Sequence, residues 1–285
     1  MAARTVMTMA CKVTIDPGHN AVSNVSPTNK KYIEGVQMFK LALYLAEALK
    51  EYGIESEITR KSVQEDPSLA ERGKLAGKNG SKLFLSLHSN APGTNKDGSY
   101  DTSISGTYVY YSLTDSGNKA LADNLGKAIA SVMGHTFRGS LTREYSEQHK
   151  DWDYYGVIRN AAQSGCKAAY LIEHGFHTNL KDSNFLLSDN NLIKLAQAEA
   201  KVIAEFFGAT KRLYRVQIGA FSTSASAKKY LAQAKAKGLN GFVIKISSKL
   251  YRVQIGSFAV KANAEDYLAQ AKAAGFNGFV VEANA

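Results

Sequence analysis

Apolar positions along the first two thirds of the chain follow two rhythms. Short runs, KVTID (12–16), IESEIT (54–59), KLFLSLH (82–88), GTYVYYS (106–112) and AAYLIEH (168–174), are bounded by turn residues and read as strands. Between them, helical spacing runs from Tyr32 to Tyr52 through Ile33, Val36, Leu43, Leu45 and Leu49, and Gly53 caps the end. Further helical stretches lie near 68–79, 116–133, 153–163 and 190–207. Alternation of this kind predicts an α/β fold, a mainly parallel twisted sheet with flanking helices. In such sheets functional residues gather at the carboxyl ends of the strands. The polar segments 91–104 and 135–152 read as connections that line a cleft. Near the second of these, Trp152, Tyr154 and Tyr155 either stack on a ligand or pack under the loop.

The last quarter is a repeat. Residues 213–246 recur as 250–283 with an offset of 37, and 22 of the 34 aligned positions match. Each copy reads strand–helix–strand: YRVQI alternates, ASAKKYLAQAKAKG is Ala/Lys-rich and ends at Gly238, and GFVIKI is a second strand. One copy cannot bury its own faces, so the pair predicts a small α+β, ferredoxin-like domain of two βαβ repeats. The expected domains are 1–208 and 209–285, joined by a short linker at 208–213. Placing Tyr214, Val216 and Ile218 against the helices sends Arg215, Gln217, Arg252 and Gln254 to the open face of the sheet.

Charge sharpens this division. The chain of 285 residues carries a net +10, yet residues 1–208 hold 23 Lys/Arg against 22 Asp/Glu, while 209–285 hold 12 against 3. Such a basic module points to an anionic partner. Nucleic acid is disfavoured, because RNA-recognition sheets of this topology stack bases on aromatics of the central strands, where this chain has Arg and Gln. No apolar run reaches the roughly 18 residues of a membrane span, so no membrane insertion is expected. The N-terminal residues lack the pattern of a secretory signal, which predicts synthesis and retention in the cytoplasm until release. Cys11 and Cys166 lie in no metal-like cluster and read as two small buried thiols.

Four residues carry the candidate chemistry. His19 follows the first strand in DPGHN, His88 closes KLFLSLH before Ser89 and Asn90, and Glu173 ends AAYLIE. Glu34 opens the long helix after the DPGHN loop. Two histidines and a carboxylate leave one coordination position of a zinc ion open for water, the catalytic type of site. A second, non-ligating carboxylate then serves to move protons. Each signal alone is weak, and spacings of 15 and 54 residues match no compact metal motif.

The set DPGHN, Glu34, SLHSN and EHGFHTN, with SLAERGKLA and VIRNA between, resembles the zinc-dependent N-acetylmuramoyl-L-alanine amidases of the Amidase_3 type. The resemblance covers most of residues 11–207. It implies one Zn²⁺ held by His19, Glu34 and His88, with Glu173 as general acid/base. The implied reaction is hydrolysis of the amide between the muramoyl lactyl group and L-alanine of bacterial peptidoglycan. His174 and His177 fall at variable positions of the family's closing motif and are expected on the substrate side or the surface. Asn90 is a further candidate for substrate contact. The two YRVQIGxF strands resemble the SPOR domain family, which implies binding to peptidoglycan glycan strands stripped of stem peptides, through Arg215, Gln217, Arg252 and Gln254. The bare lactyl carboxylates of such strands suit a basic sheet; the bland reading leaves the arginines as solvated edge residues. A phage endolysin released by membrane holes and a sporulation autolysin freed by mother-cell lysis are both compatible with this sequence.

Overall fold

The computed structural model describes residues 12–114 and 119–284; Cys11 lies outside them. The chain divides into two compact units that part between Ala209 and Thr210, apart from Glu51–Gly53, which group with the second.

The first unit is built on a six-stranded sheet. Its strands are β1 (Lys12–Pro17), β2 (Glu55–Ile58), β3 (Leu83–Asn90), β4 (Thr107–Tyr111), β5 (Phe137–Leu141) and β8 (Ala169–Phe176). They lie in the order β2-β1-β3-β8-β4-β5, and every pairing is parallel except β4 with β8. The fold expectation of a mainly parallel sheet with flanking helices holds. A separate two-stranded hairpin, β6 (Glu144–Ser146) and β7 (His149–Asp153), and β5 itself arise within the segment predicted as a polar connection. The reason is legible in burial: β5 is an edge strand with Ser140 its one buried residue, and the hairpin turns few apolar groups inward.

Helices α1 (Glu34–Lys50), α2 (Leu69–Lys78), α3 (Lys119–Met133), α4 (Gly156–Gln163), α5 (Leu180–Leu186) and α6 (Asp189–Phe207) cover the sheet. Ser68 and Glu71 form the capping box that starts α2, and Gly208 ends α6 in the left-handed region. The helices α2 and α4 share a core with β3 and β8 through Ala76, Phe84, Val157, Ala161 and Leu171. Because side chains alternate along a strand, the face bearing Phe84 and Leu171 also bears Ser86, His88 and Glu173, while His174 points to the other side.

The second unit comprises β9 (Arg212–Phe221), α7 (Ser224–Ala236), β10 (Gly241–Ser247), β11 (Leu250–Phe258), α8 (Lys261–Ala273) and β12 (Phe279–Asn284). Its antiparallel sheet has the order β10-β11-β9-β12, the ferredoxin-like arrangement of two βαβ repeats. Val216, Ile218, Val253 and Ile255 pack on Ala227, Leu231, Ala234 and Ala271 of the helices. Among the described residues no helix is long and apolar enough to cross a membrane.

Candidate active site

Three strand ends and one helix start converge at the carboxyl edge of the first sheet. Past Pro17, the Gly18 N–H still donates to Leu87 O (2.9 Å), so the chain remains in ladder contact with β3. Any Cβ at Gly18 would lie 2.2 Å from the His88 ring, which is why glycine is required there. His19 follows with φ +59°, a left-handed conformation costly for a residue with a Cβ and concentrated at functional sites.

Glu34, fully buried at the first turn of α1, is the hub. Its Oε1 accepts a hydrogen bond from Ser89 N–H (2.9 Å) and lies 3.0 Å from His88 Nδ1 and 3.5 Å from His19 Nε2. Its Oε2 accepts from Asn24 Nδ2 (2.8 Å), and that amide also sits 3.1 Å from His19 Nε2. Burial alone would raise the Glu34 carboxyl, but the hydrogen bond from His88 and the neighbouring histidines hold it at about 2. Burial depresses His88 while the bond to Glu34 and the Glu34 charge outweigh that and raise it; His19 is depressed by burial, with Glu34 opposing.

One donor atom each from His19, Glu34 and His88 lies within 4.8 Å of the others. Bonds of about 2.0–2.1 Å to a tetrahedral zinc put donors roughly 3.3 Å apart. The 3.0 and 3.5 Å separations bracket that edge, so the residues fit such an ion.

Outer contacts orient the donors. With Nδ1 of His88 turned to the centre, its Nε2–H donates to Ser86 Oγ (3.2 Å), whose hydroxyl donates to Asp16 Oδ2 (2.6 Å). Asp16 Oδ1 accepts from Arg72 (3.0 Å) and Thr59 Oγ1 (2.6 Å). Arg72 also donates to Pro17 O (2.8 Å) and His19 O (3.1 Å), fixing the turn that carries His19. Tyr32 donates to Ser89 Oγ (2.8 Å) from beneath. Asp16, Asn24, Tyr32, Arg72 and Ser86 were not singled out individually in the sequence, although DPGHN, SLAERGKLA and SLHSN contain Asp16, Arg72 and Ser86.

Glu173 is the registered partner of His88 on the adjacent strand. It is 8% exposed, its Oε2 has no hydrogen-bond partner, and burial, reinforced by the Glu34 charge against His88 and His174, pushes its carboxyl up to about 7. A carboxyl so poised can both take and return a proton near neutral pH. Beside these groups runs a cleft lined by Asp66, Pro67, Leu69 and Val157 as well as His19 and His88.

Of the two places expected for His174 and His177, the surface is ruled out, since both are buried. Alternation turns His174 away from the cleft, where Nδ1 lies 3.1 Å from His88 O and Nε2 3.2 Å from Glu199 Oε1 on α6. His177 is held by Ser89 O (2.9 Å) and lies 3.6 Å from Glu34 Oε2. Asn90 is half-buried at the end of β3, its carbonyl accepting from His177 N–H (2.9 Å).

In the second unit, Gln217 and Gln254 are registered partners on the central strands, flanked in register by Phe279 and Phe242. The glutamines are 8% and 5% exposed, and neither Oε1 has a partner; Phe242 and Phe279 are substantially exposed. Sequence alternation missed these aromatics because they come from edge strands. Arg215 is half-buried with its guanidinium 5.2 Å from the Phe242 ring, and Arg252 lies on β11 opposite Ile244.

Comparison with known proteins gives two family matches: N-acetylmuramoyl-L-alanine amidase over residues 13–205, and SPOR domain over 190–245 and 247–284. The chain is 33% identical over 241 residues to the N-acetylmuramoyl-L-alanine amidase CwlM of Bacillus licheniformis, covering 82% of this chain and 84% of that protein. It is 31% identical over 242 residues to the sporulation-specific N-acetylmuramoyl-L-alanine amidase of Bacillus subtilis (strain 168), with the same coverage. Among solved structures, the catalytic domain of CwlV, an N-acetylmuramoyl-L-alanine amidase from Bacillus (Paenibacillus) polymyxa var. colistinus, matches at 27% identity and TM-score 0.57. That match covers 70% of this chain and 98% of that one.

Proposed function

The chain belongs to the N-acetylmuramoyl-L-alanine amidase family, with SPOR repeats behind the catalytic unit, and from that premise we propose that it hydrolyses peptidoglycan with one zinc ion held by His19, Glu34 and His88. The reaction joins water to the lactyl carbonyl of the N-acetylmuramoyl group, breaks the C–N bond to L-alanine, and leaves a carboxylate and a free amine.

When bound, zinc supplies Lewis acidity to water and to the scissile carbonyl. The protein's own groups do the rest. Glu34 brings a full negative charge, since its carboxyl is held at about 2. His88 presents Nδ1 because Ser86 and Asp16 hold its other nitrogen. Glu173, beside His88 in the sheet, takes a proton from the attacking water and passes it to the departing amine of alanine. The observation that carries this reading is the gathering of three donor atoms within 4.8 Å next to a buried carboxyl poised near 7. Digestion of purified walls with and without a chelator, followed by fragment analysis, tests it. Intact stem peptides, peptide-free glycan and new alanine amines that vanish on chelation and return with zinc are expected; undiminished digestion after complete metal removal refutes it.

For the C-terminal unit the reading is retention on glycan strands whose stem peptides have been removed, through Arg215, Gln217, Arg252 and Gln254. The net +9 of residues 209–285 and the partly desolvated amides between two exposed phenylalanines support it. The lactyl carboxylates released by the catalytic unit are the anions such a sheet would meet.

A further inference from the structure

The hairpin of β6 and β7 is built inside out. Among the described residues it pairs with no other strand, and an isolated two-stranded ribbon is marginal unless one face packs on the body. Here the body side is held by polar contacts. Buried Asp153 accepts from Ser112 Oγ (2.8 Å) and Leu113 N–H (2.8 Å), and Arg159 of α4 donates to Asp153 O (2.6 Å).

The aromatic groups face solvent instead. Tyr145 is 47% exposed and Trp152 40%. They are nevertheless fixed: the His149 ring stacks on Trp152 at 4.4 Å and 18°, and Tyr145 lies 6.1 Å from Trp152. The Arg159 guanidinium sits 4.8 Å from the Tyr145 ring and 5.9 Å from that of Trp152. Exposed rings locked in place by a cation beneath them form a preorganised surface, which lowers the entropy cost of binding.

This surface continues toward the catalytic carboxyl. Tyr154, under the Arg143 guanidinium, meets Tyr155 at 5.2 Å, and Tyr155 meets Tyr110 at 4.7 Å. Tyr110 lies on β4 two residues from Tyr108, the registered neighbour of Glu173. Tyr154, Tyr155 and Tyr110 therefore connect the end of the hairpin with the strand registered beside Glu173.

Resting on the amidase reading above, we infer that Tyr145, His149 and Trp152 bind saccharide units of the glycan strand next to the muramoyl residue being cleaved. The catalytic groups act on a branch point, so the polymer on either side must run across the surface. A pyranose offers a face of C–H groups that packs on aromatic rings, and equatorial hydroxyl, acetamido and carboxylate groups within reach of Arg143 and Arg159. Stem peptides carry no comparable flat apolar face.

Trp152 is the sole tryptophan of the chain, so its emission reports on this surface alone. The test is titration of the full-length protein with chitotetraose, a β-1,4-linked N-acetylglucosamine tetramer that lacks the scissile amide. A saturable change in Trp152 emission is expected, weakened about tenfold by Tyr145→Ala and preserved by Tyr145→Phe, because the ring and not the hydroxyl makes the contact. No emission change up to saturating sugar, equal binding by Tyr145→Ala, or a response to free stem peptide in place of sugar overturns the inference. Failure of the amidase reading would appear separately, as sugar binding without release of alanine amines from walls.

Discussion

Glu199 Oε1 lies 3.2 Å from His174 Nε2, and both side chains are sealed from solvent. The other ring nitrogen of His174 faces an obligate acceptor, the carbonyl of His88, at 3.1 Å. Nδ1–H therefore donates to that carbonyl, and the contact to Glu199 requires a proton of its own. Through this pair, α6 is linked to the backbone of His88.

Removing one member should be costly. Glu199→Ala is expected to destabilise the protein by about 3–5 kcal/mol, as for a broken buried pair, with Glu199→Gln recovering part of the loss. Thermal and denaturant melts measure this; an unchanged midpoint for the alanine variant contradicts a structural role for the pair.

The Ser86 hydroxyl links His88 Nε2 to Asp16. Ser86→Ala should weaken zinc binding by about 10- to 100-fold while leaving the fold intact. Competition with a fluorescent chelator reads the affinity, and wild-type affinity in the variant would remove the hydroxyl from the orienting chain.

Glu173 makes a pH-dependent prediction. Its folded value of about 7 exceeds the ordinary 4.5, so the folded chain binds this proton more tightly than the unfolded chain. The associated stabilisation is complete below about pH 4.5 and is lost as pH rises through about 7. Glu173→Gln has no such ionisation, so in metal-free protein its stability relative to wild type should rise by up to ~3 kcal/mol between pH 4.5 and 8. Urea melts at both pH values check the sign; a difference that does not vary with pH rejects the assignment. On walls, the same variant should lose about 10²–10⁴-fold in rate with zinc content unchanged.

For the basic unit, Arg215→Ala together with Arg252→Ala should weaken retention on peptide-free glycan, with a smaller effect as salt rises. Sedimentation with purified walls at two ionic strengths measures it. Retention indifferent to both changes would leave these arginines as solvated edge groups.

Much of the architecture was readable from the chain because its signals are local. Strand-length apolar runs gave β1, β3, β4 and β8, and the internal repeat gave the second sheet. The hairpin and β5 were not readable, because Phe137–Leu141 is an edge with one buried side chain and the hairpin shows its rings to solvent. The four chemical residues stood at strand and helix ends where sheet topology could gather them. Their supports did not stand out: His174 finds Glu199 25 residues on, and Asn24 reaches Glu34 only because its backbone turns left-handed at φ +56°. Burial of Gln217 and Gln254 escaped alternation, which assigns a face but says nothing of what covers it.

Because Glu173 and His88 stand opposite each other on neighbouring parallel strands, the gap between the proposed proton carrier and the proposed zinc ligand is one inter-strand step, about 4.8 Å of backbone spacing. That gap is dictated by main-chain hydrogen bonding and not by any loop. The surrounding connections, including the aromatic hairpin, are thereby free to be rebuilt for different wall chemistries without disturbing the interval over which the proton travels.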